Sequence, residues 1–173
     1  MILLSMNFAH NINYYNKNNE SFADVQINNF TFTCRVGGLE NDKETIFLLH
    51  GFPETSRMWK NLIEALEDEK YRIIAPDQRG YSKGARPTKI SDYTIDKLSQ
   101  DIIDIADEFN INTFHLVGHD WGSAIGWFLC AIHSKKIITY TPLSVPHLDA
   151  FGDAIKNDII QKKKSFYLKW FRM

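Results

Sequence analysis

Residues 113–127 read Thr-Phe-His-Leu-Val-Gly-His-Asp-Trp-Gly-Ser-Ala-Ile-Gly-Trp. A short apolar run, Phe114 to Val117, breaks at Gly118-His119-Asp120-Trp121-Gly122 and gives way at once to a helical pattern. The spacing predicts a strand, a sharp turn with Asp120 at its apex, and a helix, which is the arrangement of a nucleophile elbow. So tight a turn forces its central residue toward positive φ, and a Cβ at Gly118 or Gly122 would collide with the neighbouring strand or helix. Serine is the usual central residue of such a turn. A carboxylate there makes an ester with an alkyl carbon, which shifts the expected chemistry from acyl transfer to attack on sp³ carbon. Asp is also a good helix N-cap, and Gly-x-Asp-x-Gly alone fits a plain strand-turn-helix as well as a reactive site.

Working outward, alternating strands and helices surround this stretch. Thr45 to Leu49 is a continuous apolar run of the kind buried on both faces of a parallel sheet, and it runs into His50-Gly51-Phe52-Pro53. A helix opening at Thr55 or Ser56 presents Trp59, Leu62, Ile63 and Leu66 on one face. A strand over Tyr71 to Ala75 leads into a polar loop rich in Gly and Pro, residues 76–87. A second helix opening at Ser91 or Asp92 has apolar Ile95, Leu98, Ile102, Ile105, Ala106 and Phe109 at steps of three and four. Asp96, Asp101, Asp104, Asp107 and Glu108 fall on its water face, a solvated stripe rather than a metal site. Beyond the elbow and its helix, Ile137 to Leu143 reads as another buried strand, ending in Ser144-Val145-Pro146-His147.

Toward the start, Phe22 to Ile27 and Phe30 to Val36 alternate about Asn28-Asn29, a hairpin signature. Residues 7–19 carry six Asn without periodicity, and residues 1–20 are read as a flexible leader. The pattern as a whole is that of a doubly wound, mostly parallel sheet with a hairpin at its leading edge.

Composition narrows the classes of function. The chain has 173 residues, 44% apolar, with a net charge of −1 and mean hydropathy of −0.30. Neither nucleic acid nor an anionic membrane is implied as a partner by so balanced a charge. Met1 to Met6 is too short and lacks the basic flank of a signal peptide, and no run approaches the ~20 apolar residues of a membrane span. Cys34 and Cys130 fall in a predicted strand and helix, and buried free thiols fit a reducing, cytoplasmic compartment.

Four motifs, HGFPE at 50–54, PDQRGYSKGARP at 76–87, GHDWGS at 118–123 and SVPH at 144–147, together resemble the α/β-hydrolase superfamily, in its epoxide hydrolase and haloalkane dehalogenase branch. The resemblance covers residues 45–147, with residues 21–147 as the N-terminal part of the hydrolase core and 148–173 as the opening of a helical cap. It implies that Asp120 is a nucleophile that opens an epoxide or displaces a halide. It also implies an oxyanion hole from the backbone N–H groups of Phe52 and Trp121, serving when water attacks the ester. A cis bond before Pro53 would point the Phe52 amide inward. His50, with Gly51, reads as a brace for that loop, and His119 as structural, pointing away from Asp120. No metal or organic cofactor is implied, and water is the co-substrate.

Phe52 favours the epoxide hydrolase side, since dehalogenases of this type commonly place a halide-binding Asn there. Thr141-Pro-Leu-Ser-Val-Pro146 also lacks the acid that some dehalogenases carry after this strand. The family's catalytic His and acid follow later strands, and its cap tyrosines lie beyond Met173. None of the six histidines is a recognisable base; His147 alone is expected near a pocket mouth. The expectation is an epoxide hydrolase-like chain that reacts once at most by itself. Its alternatives are a haloalkane dehalogenase and a truncated, non-catalytic binding protein. The apolar segment from Phe166 to Met173 and an unpaired sheet flank further imply self-association or a complementing C-terminal polypeptide.

Overall fold

The computed structural model describes residues 11–167. Its strands are β1 (Ile12–Lys17), β2 (Glu20–Ile27), β3 (Phe30–Gly37), β4 (Thr45–Leu49), β5 (Arg72–Pro76), β6 (Phe114–His119) and β7 (Ile137–Leu143). Its helices are α1 (Lys60–Asp68), α2 (Ile95–Glu108), α3 (Trp121–Ile132), α4 (Leu148–Asn157) and α5 (Ile159–Lys164). The strands form one sheet in the order β1-β2-β3-β5-β4-β6-β7. From β1 to β5 neighbours are antiparallel, and from β5 through β4 and β6 to β7 they are parallel.

Side-chain alternation along β4 builds a core on each face. Phe47 and Leu49 join Ile102, Ile105, Phe114, Leu116 and Ile125 on the α2/α3 side. Ile46 and Leu48 join Trp59, Ile63, Ile73 and Ala75 beneath α1. A strand buried on both faces favours apolar side chains throughout, hence the apolar run at 46–49 after the buried Thr45. Connections from β4 run first to β5 on one side and later to β6 on the other, so the sheet reverses its winding direction between β4 and β6. That reversal opens a crevice at the carboxyl ends of those two strands, the place where open α/β sheets bind ligands.

Several expectations need correction. The Asn-rich stretch is not a leader throughout: β1 occupies residues 12–17 and pairs with β2. Asn18 and Asn19, at φ of 53° and 62°, form its two-residue turn. Because β1 is an edge strand with most side chains in water, it carries no apolar alternation to betray it. The leader residues before Asn11 lie outside the described region.

The second helix begins at Ile95 rather than at Ser91 or Asp92, which belong to a short 3-10 turn. Lys97 ties that turn down by bonding both the Ser91 carbonyl and the Asp92 carboxylate. Asp101 is not on the water face. It is buried, and Arg79 grips its two oxygens at 2.6 and 2.8 Å. Both bonds need a carboxylate, so the pair is ionised: Arg79 is held above its ordinary value by these bonds, while burial pushes Asp101 up against them.

β7 is not a buried strand either. It is the last strand of the described sheet, and Ile138 and Leu143 stand exposed on it. Of the two free thiols, Cys34 is buried and Cys130 only half-buried. Leu62 lies at the margin of the α1 face rather than inside it. The segment 168–173, part of the expected apolar end, falls outside the described residues.

Candidate active site

Asp120 sits where β6 ends and α3 begins, with φ 51° and ψ −116°. Such a backbone costs a non-glycine residue about 1–3 kcal/mol and persists only where its surroundings impose it. Two glycines are part of that surround. A Cβ on Gly118 would lie 2.5 Å from the Gly122 carbonyl oxygen, and one on Gly122 would lie 2.3 Å from that of Leu49. Strand β4, the elbow and α3 are thus in backbone contact, an approach that any side chain would forbid.

Ser123 adds a polar pin. Its buried hydroxyl donates toward the carbonyls of Gly118 and Leu143 and accepts the Leu143 N–H at 3.1 Å. The Asp120 N–H donates to the same Leu143 carbonyl at 3.2 Å. Tyr140 reaches back from β7 to donate its hydroxyl to the Ser123 carbonyl at 2.7 Å, and burial pushes its phenol up to about 12. Ser123 and Tyr140 were not singled out by sequence reasoning; a small polar residue inside an otherwise apolar helix turn was the available signal.

The Asp120 side chain makes no capping bond to α3. Instead its Oδ1 accepts the Phe52 N–H at 2.9 Å, across 68 residues of sequence. This separates the site from an ordinary helix cap. Gly51 permits the approach, since a Cβ there would stand 2.4 Å from Asp120 Cβ and 2.7 Å from its Oδ1. The Phe52–Pro53 bond is cis. Phe52 and Trp121, on either side of the half-buried Asp120 carboxylate, are 52% and 57% exposed.

His50 lies wholly buried behind that loop. Its Nε2 accepts the Gln78 backbone N–H at 3.0 Å, so the ring proton must sit on Nδ1, which donates to the Gly51 carbonyl at 3.0 Å. Burial lowers its pKa, the bond to Gly51 partly offsetting the effect. With both ring nitrogens occupied, His50 has no lone pair left for a substrate or water. Tyr81 packs its ring edge-on to His50 at 4.6 Å; burial raises its phenol, and the charge of Asp120 raises it further.

The other histidines are spent or distant in role. On β6, His119 shares the α1 face with His115 and Val117, away from Phe114 and Leu116, and its Nδ1 is buried without a hydrogen-bond partner. His115 Nδ1 pairs with Thr139 at 2.7 Å. His133 caps the end of α3. His147, expected near the pocket mouth, packs against Trp127 at 4.9 Å and accepts the Asp149 N–H through Nδ1. His10 lies outside the described residues.

A cleft of about 310 Å³ lies far along the sheet, lined by Tyr14, Tyr15, Phe22 and Glu67 among others, and Asp120 is not part of it. Its aromatic faces are taken up by one another and by Arg35 over Phe22, so chemistry rather than concavity locates the site. Among the described residues no group of three or more His, Cys, Asp or Glu could hold a metal ion, and no helix is long and apolar enough to cross a membrane.

Comparisons with known proteins bear on the family and the fold. The alpha/beta hydrolase fold model matches residues 44–168. The AB hydrolase superfamily protein YfhM of Bacillus subtilis is 37% identical over 149 residues, 86% of this chain and 52% of that protein. Epoxide hydrolase A of Mycobacterium tuberculosis is 39% identical over 103 residues, 60% of this chain and 32% of that one. Among solved structures, a metagenomic epoxide hydrolase from hot environments superposes with TM-score 0.79 at 34% identity, covering 88% of this chain and 51% of the other. An epoxide hydrolase from Vigna radiata gives 0.67 at 35%, covering 79% and 41%. The chain therefore spans about half, or less, of the length of these proteins.

Proposed function

This chain belongs to the α/β-hydrolase family, in its epoxide hydrolase-like branch, and from that premise we propose that Asp120 is an alkylating nucleophile for small epoxides. The supporting observation is the Phe52 N–H on Oδ1, with the side chain turned away from its own helix. Held there, Oδ1 leaves Oδ2 as the oxygen that attacks. A C–O bond forms between Oδ2 and an epoxide carbon, the carbon–oxygen bond of the strained ring breaks, and its oxygen takes a proton from solvent. In a second step water attacks the ester carbonyl, and the oxyanion that develops on it is met by the N–H groups of Phe52 and Trp121.

Attack by a carboxylate needs no base, whereas activation of water does. The histidines of the described region have the roles given above, and none stands as a base for that water. The chain alone therefore forms the ester and does not turn over. On this reading residues 148–167 open a cap, and the exposed flank of β7 either self-associates or takes up a complementing C-terminal polypeptide. The free thiols fit residence in the cytoplasm.

Incubation with styrene oxide tests this: ester formation without phenylethanediol release is expected, whereas multiple-turnover diol production by the pure chain overturns the half-reaction. Haloalkane dehalogenation is the second reading, and Phe52 at the position of a halide-binding Asn argues against it. Bromide release from a bromoalkane would reinstate it.

A further inference from the structure

We propose that Gln78 is a positioning residue, holding His50 so that the Phe52 N–H stays on Asp120. The proposal rests on the reading of Asp120 as nucleophile and gives a role to a residue of the 76–87 motif that had none. Gln78 binds His50 at two places. Its backbone N–H donates to His50 Nε2 at 3.0 Å, and its side-chain amide donates to the His50 carbonyl. His50 Nδ1 in turn donates to the Gly51 carbonyl, and the next amide, that of Phe52, is the one on Asp120 Oδ1 at 2.9 Å. From Gln78 to the carboxylate run two routes, one of three hydrogen bonds through the imidazole ring and one of two through the His50 carbonyl, both ending on the Phe52 N–H.

Gln78 is itself fixed from outside the site. Its carbonyl accepts the N–H groups of Tyr81 and Ser82 at 2.9 and 3.1 Å. Its neighbour Arg79 is clamped by Asp101 on α2 and by the Asp92 carbonyl at 2.9 Å. The bracket therefore ties the carboxylate's partner to a helix of the main core rather than to the exposed loop alone.

The side chain's other end says what it is for. Gln78 is 7% exposed, and its Oε1 is buried with no hydrogen-bond partner. A buried acceptor left unpaired is a stability cost that an apolar residue of the same size would avoid. What glutamine supplies and an apolar residue cannot is the donor to the His50 carbonyl. Retention of that donor at the expense of an orphaned acceptor points to a positioning role.

Gln78→Met removes the donor and the orphaned Oε1 at little change in volume, and leaves the buried His50 carbonyl unpaired in its place. Its fold, checked by circular dichroism, should be kept, with a urea midpoint unchanged or somewhat lower. Alkylation of Asp120 by styrene oxide should nonetheless slow by about tenfold, the loss of roughly one hydrogen bond's worth of alignment, and the Phe52 amide proton should lose its downfield shift in nitrogen-correlated NMR spectra. Gln78→Glu is the second variant: its carboxylate cannot donate to the His50 carbonyl, and at neutral pH its alkylation rate should fall at least as far as that of Gln78→Met. An unchanged rate and unchanged Phe52 amide in Gln78→Met, or a Gln78→Glu chain that alkylates as fast as the unsubstituted one, overturns the proposal. If the unsubstituted chain takes no adduct, the nucleophile reading fails separately, and the Phe52 amide shift alone decides whether Gln78 positions the loop.

Discussion

The carboxylate of Asp120 faces the amide of Phe52 at 2.9 Å rather than the first turn of its own helix. Gly51 is the residue that lets them meet, because a methyl there would stand 2.4 Å from Asp120 Cβ. Gly51→Ala should push loop and carboxylate apart by a sizeable part of an ångström and lower the alkylation rate by about 100-fold. Single-turnover mass spectrometry of the variant beside the unsubstituted chain measures this.

Gly122 meets backbone on the other side. An added Cβ would lie 2.3 Å from the Leu49 carbonyl oxygen and 2.7 Å from that of His50, neither of which can rotate away. Gly122→Ala should cost about 1–3 kcal/mol of stability, the usual range for overpacking. Urea denaturation reads it, with the midpoint falling and the slope unchanged.

Asp101 and Arg79 form a two-bond pair with little exposure on either side chain. Asp101→Ala leaves the guanidinium buried without its counter-charge, a loss of about 3 kcal/mol. Asp104→Ala, three residues further along the helix and without a counter-charge to strand, should change the urea midpoint by far less.

His50 gives a pH dependence whose sign follows from its lowered pKa. The unfolded chain binds the proton more readily than the folded one, so the stability from neutral His50 is present above its unfolded pKa of about 6.5 and is lost progressively as pH falls below it. Protonation also removes the lone pair that accepts the Gln78 N–H. Urea midpoints taken on either side of pH 6.5 should show this slope, and His50→Gln should flatten it.

Much of this was legible because its cause is local. β4 and β5 announce themselves as apolar runs because both faces are buried, and the elbow announces itself because backbone contact leaves only glycine at Gly118 and Gly122. β1 escaped notice because an edge strand needs no apolar pattern, although its Asn18-Asn19 turn repeats the signal read correctly at Asn28-Asn29. Asp101 was misplaced because its periodicity puts it on the polar stripe, and only the folded chain brings Arg79 to it across 22 residues. Gln78 and Tyr140 have the same explanation: their partners are distant in sequence, and no spacing rule encodes them.

The exposed flank of β7, with Ile138 and Leu143 in water, should drive association. Sedimentation velocity across a concentration series should show dimers or larger species, and Leu143→Lys should shift them toward monomer.

The central claim is that Asp120 is a nucleophile rather than inherited scaffold. Its most direct test is intact mass spectrometry after incubation with styrene oxide, followed by peptide mapping, on the unsubstituted chain and on Asp120→Asn. The account predicts a persistent mass gain of one styrene oxide that maps to Asp120 and is missing from the variant. No adduct on a chain shown to be folded by circular dichroism, or an equal adduct on Asp120→Asn, would contradict it.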